Sequence, residues 1–473
     1  MAYHKIMRVS RHRGNHGWVG QIRTGDRPIW FHAVRRLALR LGLTCVSFLW
    51  AVHWLSGDQT TTPNIILIMA DDLGYGDLGC YGQSRFRTPR LDQMASEGIR
   101  FEHFYAGRPQ GAASRATLMT GRHTGHATIR GEGKQPLDYG DFTLAECLKQ
   151  ASYRTCALGQ WGMGQSGSTG LPNLQGFDEW FGFLDLDKAS NRYPEYLWRN
   201  QEMIRFEANA NQGRGLYVSY KFTEAAMNFI QMPREEPFFL YVSYTLPGVK
   251  ADAPTTKPYS TEAWSPEQQL HAATIYRLDR DVGKILDLLD ERGLASSTLV
   301  LFCSDNGPEG DQVDFFQSTG SLRMGEGRLY EGHIRSPLIL RWRGQLQEGQ
   351  VSQQVCAAWD LLPTLGALSG VSVPDGLDGI SLVPVMRDGP LIPRQPLYWE
   401  THRKGFEQAV RMGHWKGIRP AQDAKIELYN LLQDPGEVDD LASQNPDVVQ
   451  QMREIMKASR TDTSQWPVSE LLN

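Results

Sequence analysis

The sequence is poor in cysteine, in net charge and in long apolar runs. It has six cysteines in 473 residues and no pair spaced as CxxC, so a structural zinc site is not indicated. Six scattered thiols do not form the disulfide framework of a small stapled domain. The formal charge is −4, which excludes a strong field that would attract nucleic acid or an anionic membrane. We therefore expect no nucleic-acid partner.

The N-terminal segment differs from the rest of the chain. Residues 1–40 are rich in Arg and His, and an apolar run follows over residues 41–55. That run is too short for a comfortable membrane span, and a basic lead before a short apolar core is typical of a secretory signal. We predict a basic lead and signal over residues 1–57, cleavage between about Leu55 and Thr62, and a secreted or periplasmic protein. An uncleaved signal anchor is the alternative.

From residue 63 onward, short apolar runs alternate with amphipathic segments. Asn64–Met69, Phe238–Tyr244 and Thr298–Cys303 have the continuous apolar character of buried strands, and residues 265–293 have the period of a long amphipathic helix. Alternating strands and helices predict an α/β fold, in which helices flank a mixed, largely parallel sheet. We assign this domain to residues 63–392.

The pattern changes after about residue 393, where short alternating segments are separated by turns. These segments predict a small antiparallel β subdomain over residues 393–473, with a final helix near residues 446–458. The predicted strands are Leu397–Thr401, Gln408–Met412, Trp415–Arg419 and Ile426–Leu431.

Two of the predicted buried strands end in oxygen-bearing side chains. Asp71 and Asp72 follow the first strand, and Asp305 and Asn306 follow another. In open α/β sheets, ligands bind beyond the carboxyl ends of the strands. Oxygen ligands without His or Cys suit calcium or magnesium and not zinc. We therefore predict one divalent cation among these four residues, Ca2+ with Mg2+ as the alternative, although an isolated Asp pair is more often a helix cap or turn.

Several segments share motifs with one known family. They are Ile66–Gly74, Ser304–Gly307, Leu329–Gly332, Leu428–Leu431 and Asp434–Glu437, together with Gly176–Glu179 and Tyr193–Tyr196. The first five resemble the sulfatases, members of the alkaline-phosphatase superfamily, and the last two resemble an arylsulfatase-like branch of that family. The resemblance covers residue 63 to about residue 458, and it implies the α/β fold and a calcium site.

The catalytic motif of that family is altered in this chain. The family makes its formylglycine nucleophile from Cys or Ser within C/S-x-P-S-R-x-x-x-x-T-G-R. The matching residues 111–122 place Gly111 at the nucleophile and Ala113 at the proline, and they retain Arg115. Glycine has no Cβ that could be oxidised, so we expect no formylglycine and no nucleophilic atom for covalent catalysis.

Other positions that the family uses to handle sulfate have also changed. By the resemblance, Gln160 and Glu326 replace lysines, Gly248 replaces a histidine, and Lys188 and Ser190 stand where histidines are usual. Three carboxylates around one divalent cation sum to a charge of about −1, and the cations that would offset it are missing. We therefore expect catalysis by fixed positive charge to be largely lost.

Four further polar residues lie near the expected site. Ser114 is a conceivable replacement nucleophile, but we expect it to cap a helix. We expect His123, His126 and His333, the last in place of a family glycine, to be satisfied surface or core histidines.

The sequence therefore predicts a pseudo-sulfatase that retains a calcium site and binds an extracellular ligand. The ligand would be a sulfated or anionic polysaccharide or a partner protein. The competing prediction is an active sulfuric-ester hydrolase that uses a metal-bound water. A phosphatase or phosphodiesterase of the wider superfamily fits less well, since those sites usually hold two metals with histidine ligands.

Overall fold

A computed structural model describes residues 62–131, 135–325, 329–402 and 405–467. The signal predicted over residues 1–57 and the candidate residue Glu326 lie outside these ranges. Within them, none of the helices combines the length and apolar character needed to cross a membrane.

Ten strands form the larger sheet, and they explain where the site lies. They are β1 Asn64–Asp71, β2 Ile99–Tyr105, β3 Arg154–Gln160, β4 Glu179–Phe183, β5 Tyr196–Arg199, β6 Glu202–Arg205, β7 Phe238–Pro247, β8 Thr298–Ser304, β9 Arg335–Arg341 and β10 Gln350–Ala357. Their order across the sheet is β10-β2-β9-β8-β1-β7-β3-β4-β5-β6. The central strands β8, β1, β7, β3 and β4 run parallel, so their carboxyl ends share one edge.

Helices cover both faces of this sheet, and two of them begin at capping boxes. The Ser265 Oγ accepts from the Gln268 N–H, and Thr143 and Glu146 pair in the same way. The helices are α1 Pro89–Ser96, α2 Gly111–Thr120, α3 Leu144–Gln150, α4 Leu186–Ala189, α5 Val218–Gln231, α6 Pro266–Glu291, α7 Val313–Phe316, α8 Glu331–Ile334, α9 Leu361–Leu368, α10 Val383–Met386 and α11 Pro446–Ala458.

Strand β1 is buried on both faces, which is why its sequence is continuously apolar and not alternating. Ile66 and Ile68 face the layer that includes α1, α5 and α6, whereas Ile65 and Leu67 face the layer that includes α2, α3 and α9. The predicted mixed, largely parallel sheet flanked by helices is confirmed.

Four antiparallel strands form the second, smaller sheet, as predicted. They are β11 Leu397–Thr401, β12 Glu407–Met412, β13 Trp415–Arg419 and β14 Glu427–Asn430, in that order. Helix α11 packs on this sheet through Met452 and Met456. The division at residue 393 stays a prediction.

Buried charges connect the small sheet to the large one. The Lys416 Nζ on β13 lies 2.9 Å from Glu331 Oε1 and 2.8 Å from Glu437 Oε1, and all three side chains are fully buried. The Tyr105 hydroxyl on β2 donates to Glu331 Oε2 at 2.7 Å, and Arg411 on β12 contacts the same hydroxyl. One lysine therefore pairs with two carboxylates, and we call Lys416, Glu331 and Glu437 the buried triad.

The triad predicts a pH dependence of stability. Burial, opposed by Lys416, raises the pKa of Glu437 to about 7. The folded protein therefore holds a proton that the unfolded chain has already lost. Stability from such a group is present below the unfolded pKa and is lost as pH rises through the folded pKa, by at most roughly 1.4 kcal/mol per pH unit. We expect Glu437→Gln to flatten the decline in unfolding free energy between about pH 5 and pH 8.

The check is urea unfolding across that pH range, with the exposed Glu235→Gln as control. The control should keep the wild-type slope. A Glu437→Gln slope equal to that of the wild type would contradict the assignment.

Candidate functional site

The carboxyl ends of the central strands bring the predicted site residues to one edge of the sheet. In the parallel register, Ala70 on β1 lies opposite Ser304 on β8, and Asp71 lies opposite Pro247 on β7. Asp305 and Gly248 are the next residues along β8 and β7 and therefore emerge beside Asp71. Strand β3 ends at Gln160 at the same edge.

The structure brings together all four predicted cation ligands. Asp71, Asp72 and Asp305 each offer a carboxylate oxygen, and these atoms lie within 4.8 Å of one another. The Asp72 N–H donates to Asp305 Oδ1 at 3.2 Å, and Asn306 Nδ2 donates to Asp72 Oδ1 at 2.6 Å. Among the described residues, the buried Asn306 Oδ1 has no hydrogen-bond partner. An orphaned amide oxygen beside three carboxylates is a donor set that fits a hard cation.

The electrostatics of this carboxylate cluster are unfavourable without a counter-charge. Burial raises the pKa of Asp71 and of Asp72, and for Asp72 the charges of Asp71 and Asp305 add to the rise. Burial also raises the pKa of Asp305 to about 7, although Arg115 opposes the shift. Crowded carboxylates of this kind are the groups that a bound divalent cation keeps ionised.

Helix α2 packs its first turns against the cluster. Gly111 is its first residue and has a φ of 66°. Ser114, one turn later, contacts the Asp305 carbonyl through Oγ and accepts from the Gly107 N–H at 3.1 Å. The expectation that Ser114 caps the helix is wrong, because the helix begins at Gly111, with Gln110 at the cap. Ser114 instead ties the helix to the end of β8.

Arg115 and Gln160 brace the carboxylates from the side of α2. The guanidinium contacts Asp305, lies 3.7 Å from Asp71 Oδ1, and donates through Nε to the Trp161 carbonyl at 3.2 Å. With its amide oriented to suit both neighbours, Gln160 donates to Asp71 Oδ1 and accepts from Arg115, each at 3.2 Å. The residue at the family's lysine position therefore holds a carboxylate in place and adds no charge.

Arg192 is a site residue that the sequence did not predict. Gly248 has a φ of 68°, and a Cβ there would lie 2.2 Å from the Arg192 guanidinium and 3.3 Å from Asp71 Oδ2. Arg192 is only 2% exposed and donates to the carbonyls of Pro247, at 3.1 Å, and Ala189, at 2.5 Å. A buried cation thus fills the space beside Gly248. No local pattern in the sequence marked Arg192, because it lies far from Gly248 along the chain.

The predicted histidines contact other groups as well. His123 and His126 stack on each other and contact Asp378, His126 through Nδ1 at 2.9 Å. The His123 Nδ1 accepts from the Gly125 N–H at 3.1 Å, which places the ring proton on Nε2, towards Asp378. The His333 Nε2 lies 3.2 Å from the Gly325 carbonyl.

Lys188 and Ser190, in the segment before β5, also make contacts with groups outside the carboxylate cluster. Lys188 contacts the Tyr196 hydroxyl, and its ammonium lies 4.6 Å from the centre of that ring. The Ser190 hydroxyl donates to the Asp187 carbonyl at 2.9 Å. Neither side chain supplies the cluster with a charge partner in these contacts.

Comparison with known proteins gives a consistent family. The family model described as Sulfatase matches residues 63–371, and one described as N-sulphoglucosamine sulphohydrolase, C-terminal, matches residues 325–462. The chain is 32% identical to rat (Rattus norvegicus) N-acetylgalactosamine-6-sulfatase over 80% of this chain and 75% of the relative. It is also 32% identical to human (Homo sapiens) arylsulfatase A, over 83% and 87% of the two chains.

A solved structure shares the architecture. The crystal structure of Ps i-CgsB in complex with k-i-k-neocarrahexaose superposes with a TM-score of 0.75 and 28% identity, over 86% of this chain and 95% of that one. The two-sheet fold, the family match over most of the chain and the relatives above 30% identity agree with one another. This chain belongs to the sulfatase family.

Proposed function

We propose that this sulfatase-family protein holds one calcium ion at Asp71, Asp72, Asp305 and Asn306 and does not perform the formylglycine-dependent reaction. Its role is to bind a sulfated or anionic polysaccharide outside the cell. The observation that carries the proposal is Gly111, which has no side chain and is the first residue of α2, the helix whose Ser114 and Arg115 contact Asp305.

The chemistry of the neighbouring side chains supports the loss of covalent catalysis. Attack on a sulfate ester needs a nucleophilic atom, and glycine offers none. Ser114 carries the neighbouring hydroxyl on α2, but it is buried and bonded to the Asp305 carbonyl and the Gly107 N–H. A hydroxyl committed to two backbone groups is not poised to pass its proton to a general base.

The ligand class is inferred from relatives and from the charge of the site. One relative is named N-acetylgalactosamine-6-sulfatase, and a structural neighbour was solved in complex with k-i-k-neocarrahexaose. A sulfated or otherwise acidic sugar chain is therefore the ligand that this fold is suited to hold. A partner protein is the competing ligand, and a metal-bound water is the competing nucleophile.

Calcium should stabilise the folded protein, and this tests the metal part of the proposal. At a free concentration one hundred times its dissociation constant, a ligand that binds only the folded state adds about 2.7 kcal/mol. We expect the thermal midpoint to rise in calcium relative to a chelator. Asp305→Asn should remove most of the rise because it removes a charged ligand, while the exposed Asp423→Asn should leave it intact. An equal rise in Asp305→Asn would contradict the assignment.

The ligand is tested by binding of sulfated oligosaccharides, with desulfated chains of the same backbone as control. We expect the protein to bind sulfated chains only and to leave them intact. The binding should be lost in chelator and in Asp305→Asn. Equal binding of desulfated chains would overturn the ligand class. Release of inorganic sulfate would overturn the absence of turnover.

A further inference from the structure

Arg192 is a buried cation whose hydrogen bonds, among the described residues, go to backbone carbonyls and not to a carboxylate, although its charge acts on the nearby Asp71. The side chain is 2% exposed, and its two described hydrogen bonds go to the neutral carbonyls of Ala189 and Pro247. Its Nε is buried and has no hydrogen-bond partner among the described residues. Taking a guanidinium out of water is costly unless it is paired and fully hydrogen-bonded. The guanidinium therefore retains a donor that an added anion would satisfy.

The Arg192 guanidinium lies next to the carboxylate cluster. A Cβ on Gly248 would be 2.2 Å from Arg192 Nη2 and 3.3 Å from Asp71 Oδ2, so the three groups are adjacent. Gly248 also has a φ of 68°, which side-chain-bearing residues adopt at a cost. The two residues therefore form one unit. Gly248 has no side chain, and the Arg192 guanidinium occupies the volume that a side chain at position 248 would fill.

The charges of the site explain what this unit does. Asp71, Asp72 and Asp305 supply three negative charges, and Arg115 and Arg192 supply two positive ones. Glu309 adds a further negative charge that acts on Asp72, so a divalent cation at the carboxylates turns a net negative site into one with no net charge. The sequence alone predicted a net negative site after cation binding, because it did not include the two arginines. A site whose net negative charge has been removed no longer repels an anion.

The two arginines do not have the same capacity for a ligand. Arg115 already contacts Asp305, the Trp161 carbonyl and Gln160. Arg192 still has an unused buried donor and lies beside Gly248, whose Cβ position is 3.3 Å from Asp71 Oδ2. A guanidinium fork matches the oxygen geometry of sulfate, carboxylate or phosphate better than an ammonium does.

We propose that Arg192, in the space left by Gly248, is the residue that recognises the anionic group of the ligand, the sulfate of a sulfated sugar, after the cation binds. This inference rests on the proposed function, since it names the group that reads the ligand at the same site. Arg192 is a specificity-determining residue here and takes part in no bond-breaking step.

The test is a titration of inorganic sulfate into calcium-loaded protein, followed by calorimetry and by the thermal midpoint. We expect Arg192→Gln to weaken sulfate binding at least about tenfold, while Arg199→Gln, an exposed arginine of β5, leaves it unchanged. Calcium affinity should stay equal or increase in Arg192→Gln, because a positive charge near Asp71 is removed. A purely structural role for Arg192 would instead lower calcium and sulfate binding together.

Two outcomes would overturn the inference. One is that the wild-type protein does not bind sulfate in calcium, and the other is that the sulfate affinity of Arg192→Gln lies within about twofold of the wild-type value. If Arg192→Gln does not fold, Arg192→Lys carries the test, because it keeps the charge and loses the fork, and unchanged sulfate affinity there overturns the inference. Failure of the proposed function is seen separately, as release of sulfate from an ester by the wild type, which leaves the role of Arg192 in anion recognition intact.

Discussion

Gly111→Cys alone will not produce sulfatase activity, even in a host that carries the formylglycine-generating enzyme. This variant still has Ala113 where the family motif has a proline, so we expect the modifying enzyme to recognise it poorly. Gln160 remains bonded to Asp71 and Arg115 and supplies no positive charge. The φ of 66° at position 111 adds a backbone cost of about 1–2 kcal/mol for any L-residue with a side chain.

The measurement is hydrolysis of an aryl sulfate, together with the mass of the peptide that contains position 111. Each missing electrostatic group can reduce the rate by about 10²–10³, and losses within one site do not simply multiply. A sulfatase rate from Gly111→Cys alone would contradict the prediction. Ala113→Pro alone is the matched control and should remain inactive.

The structure adds a condition to any fuller restoration. From the sequence, Ala113→Pro, Gln160→Lys, Glu326→Lys and Gly248→His are the further changes required. A side chain at position 248 would collide with Arg192, whose guanidinium lies 2.2 Å from the Cβ position. We therefore expect the combined variant to remain inactive until Arg192 is also replaced by a smaller residue.

Lys416→Met should be among the most destabilising single substitutions in the chain. It would leave Glu331 and Glu437 buried against each other without their shared cation. Removing one partner of a buried ionic group costs about 3–5 kcal/mol. The free energy of unfolding, measured in urea at neutral pH, should fall by that order, whereas the exposed Lys425→Met should change it little.

The same experiment separates charge from packing. Adding Glu331→Gln and Glu437→Gln to Lys416→Met removes the uncompensated charges and should restore part of the stability. If the triple variant is as unstable as Lys416→Met, lost packing and not unpaired charge would explain the effect.

Elements with a strong local pattern could be predicted from the sequence. Strands β1 and β8 are continuous apolar runs because they lie between helical layers, and β13 has the predicted bounds Trp415–Arg419. Strand β2, Ile99–Tyr105, was not predicted, because Arg100, Glu102 and His103 interrupt its apolar residues. Its pairing with β9 and β10 is a tertiary contact that no local period reveals.

The candidate site could likewise be predicted from the sequence only in part. The carboxylates follow strands whose parallel register brings their ends together, so Asp71 and Asp305 could be placed side by side from the sequence. Arg192 could not, because it lies in the segment between α4 and β5 with no periodic pattern, and its position depends on the space beside Gly248. The role of Ser114 was mistaken for a similar reason, since its partner is the carbonyl of Asp305, 191 residues away.

The central claim is that a sulfatase-family chain with glycine at the nucleophile position performs no sulfate-ester hydrolysis. The most direct measurement is turnover of an aryl sulfate by the purified unmodified chain, with calcium and with a chelator. We predict a rate equal to that of the buffer in both conditions. Hydrolysis well above background that requires calcium, and that Asp305→Ala abolishes, would contradict the claim and would indicate a metal-bound water as the nucleophile.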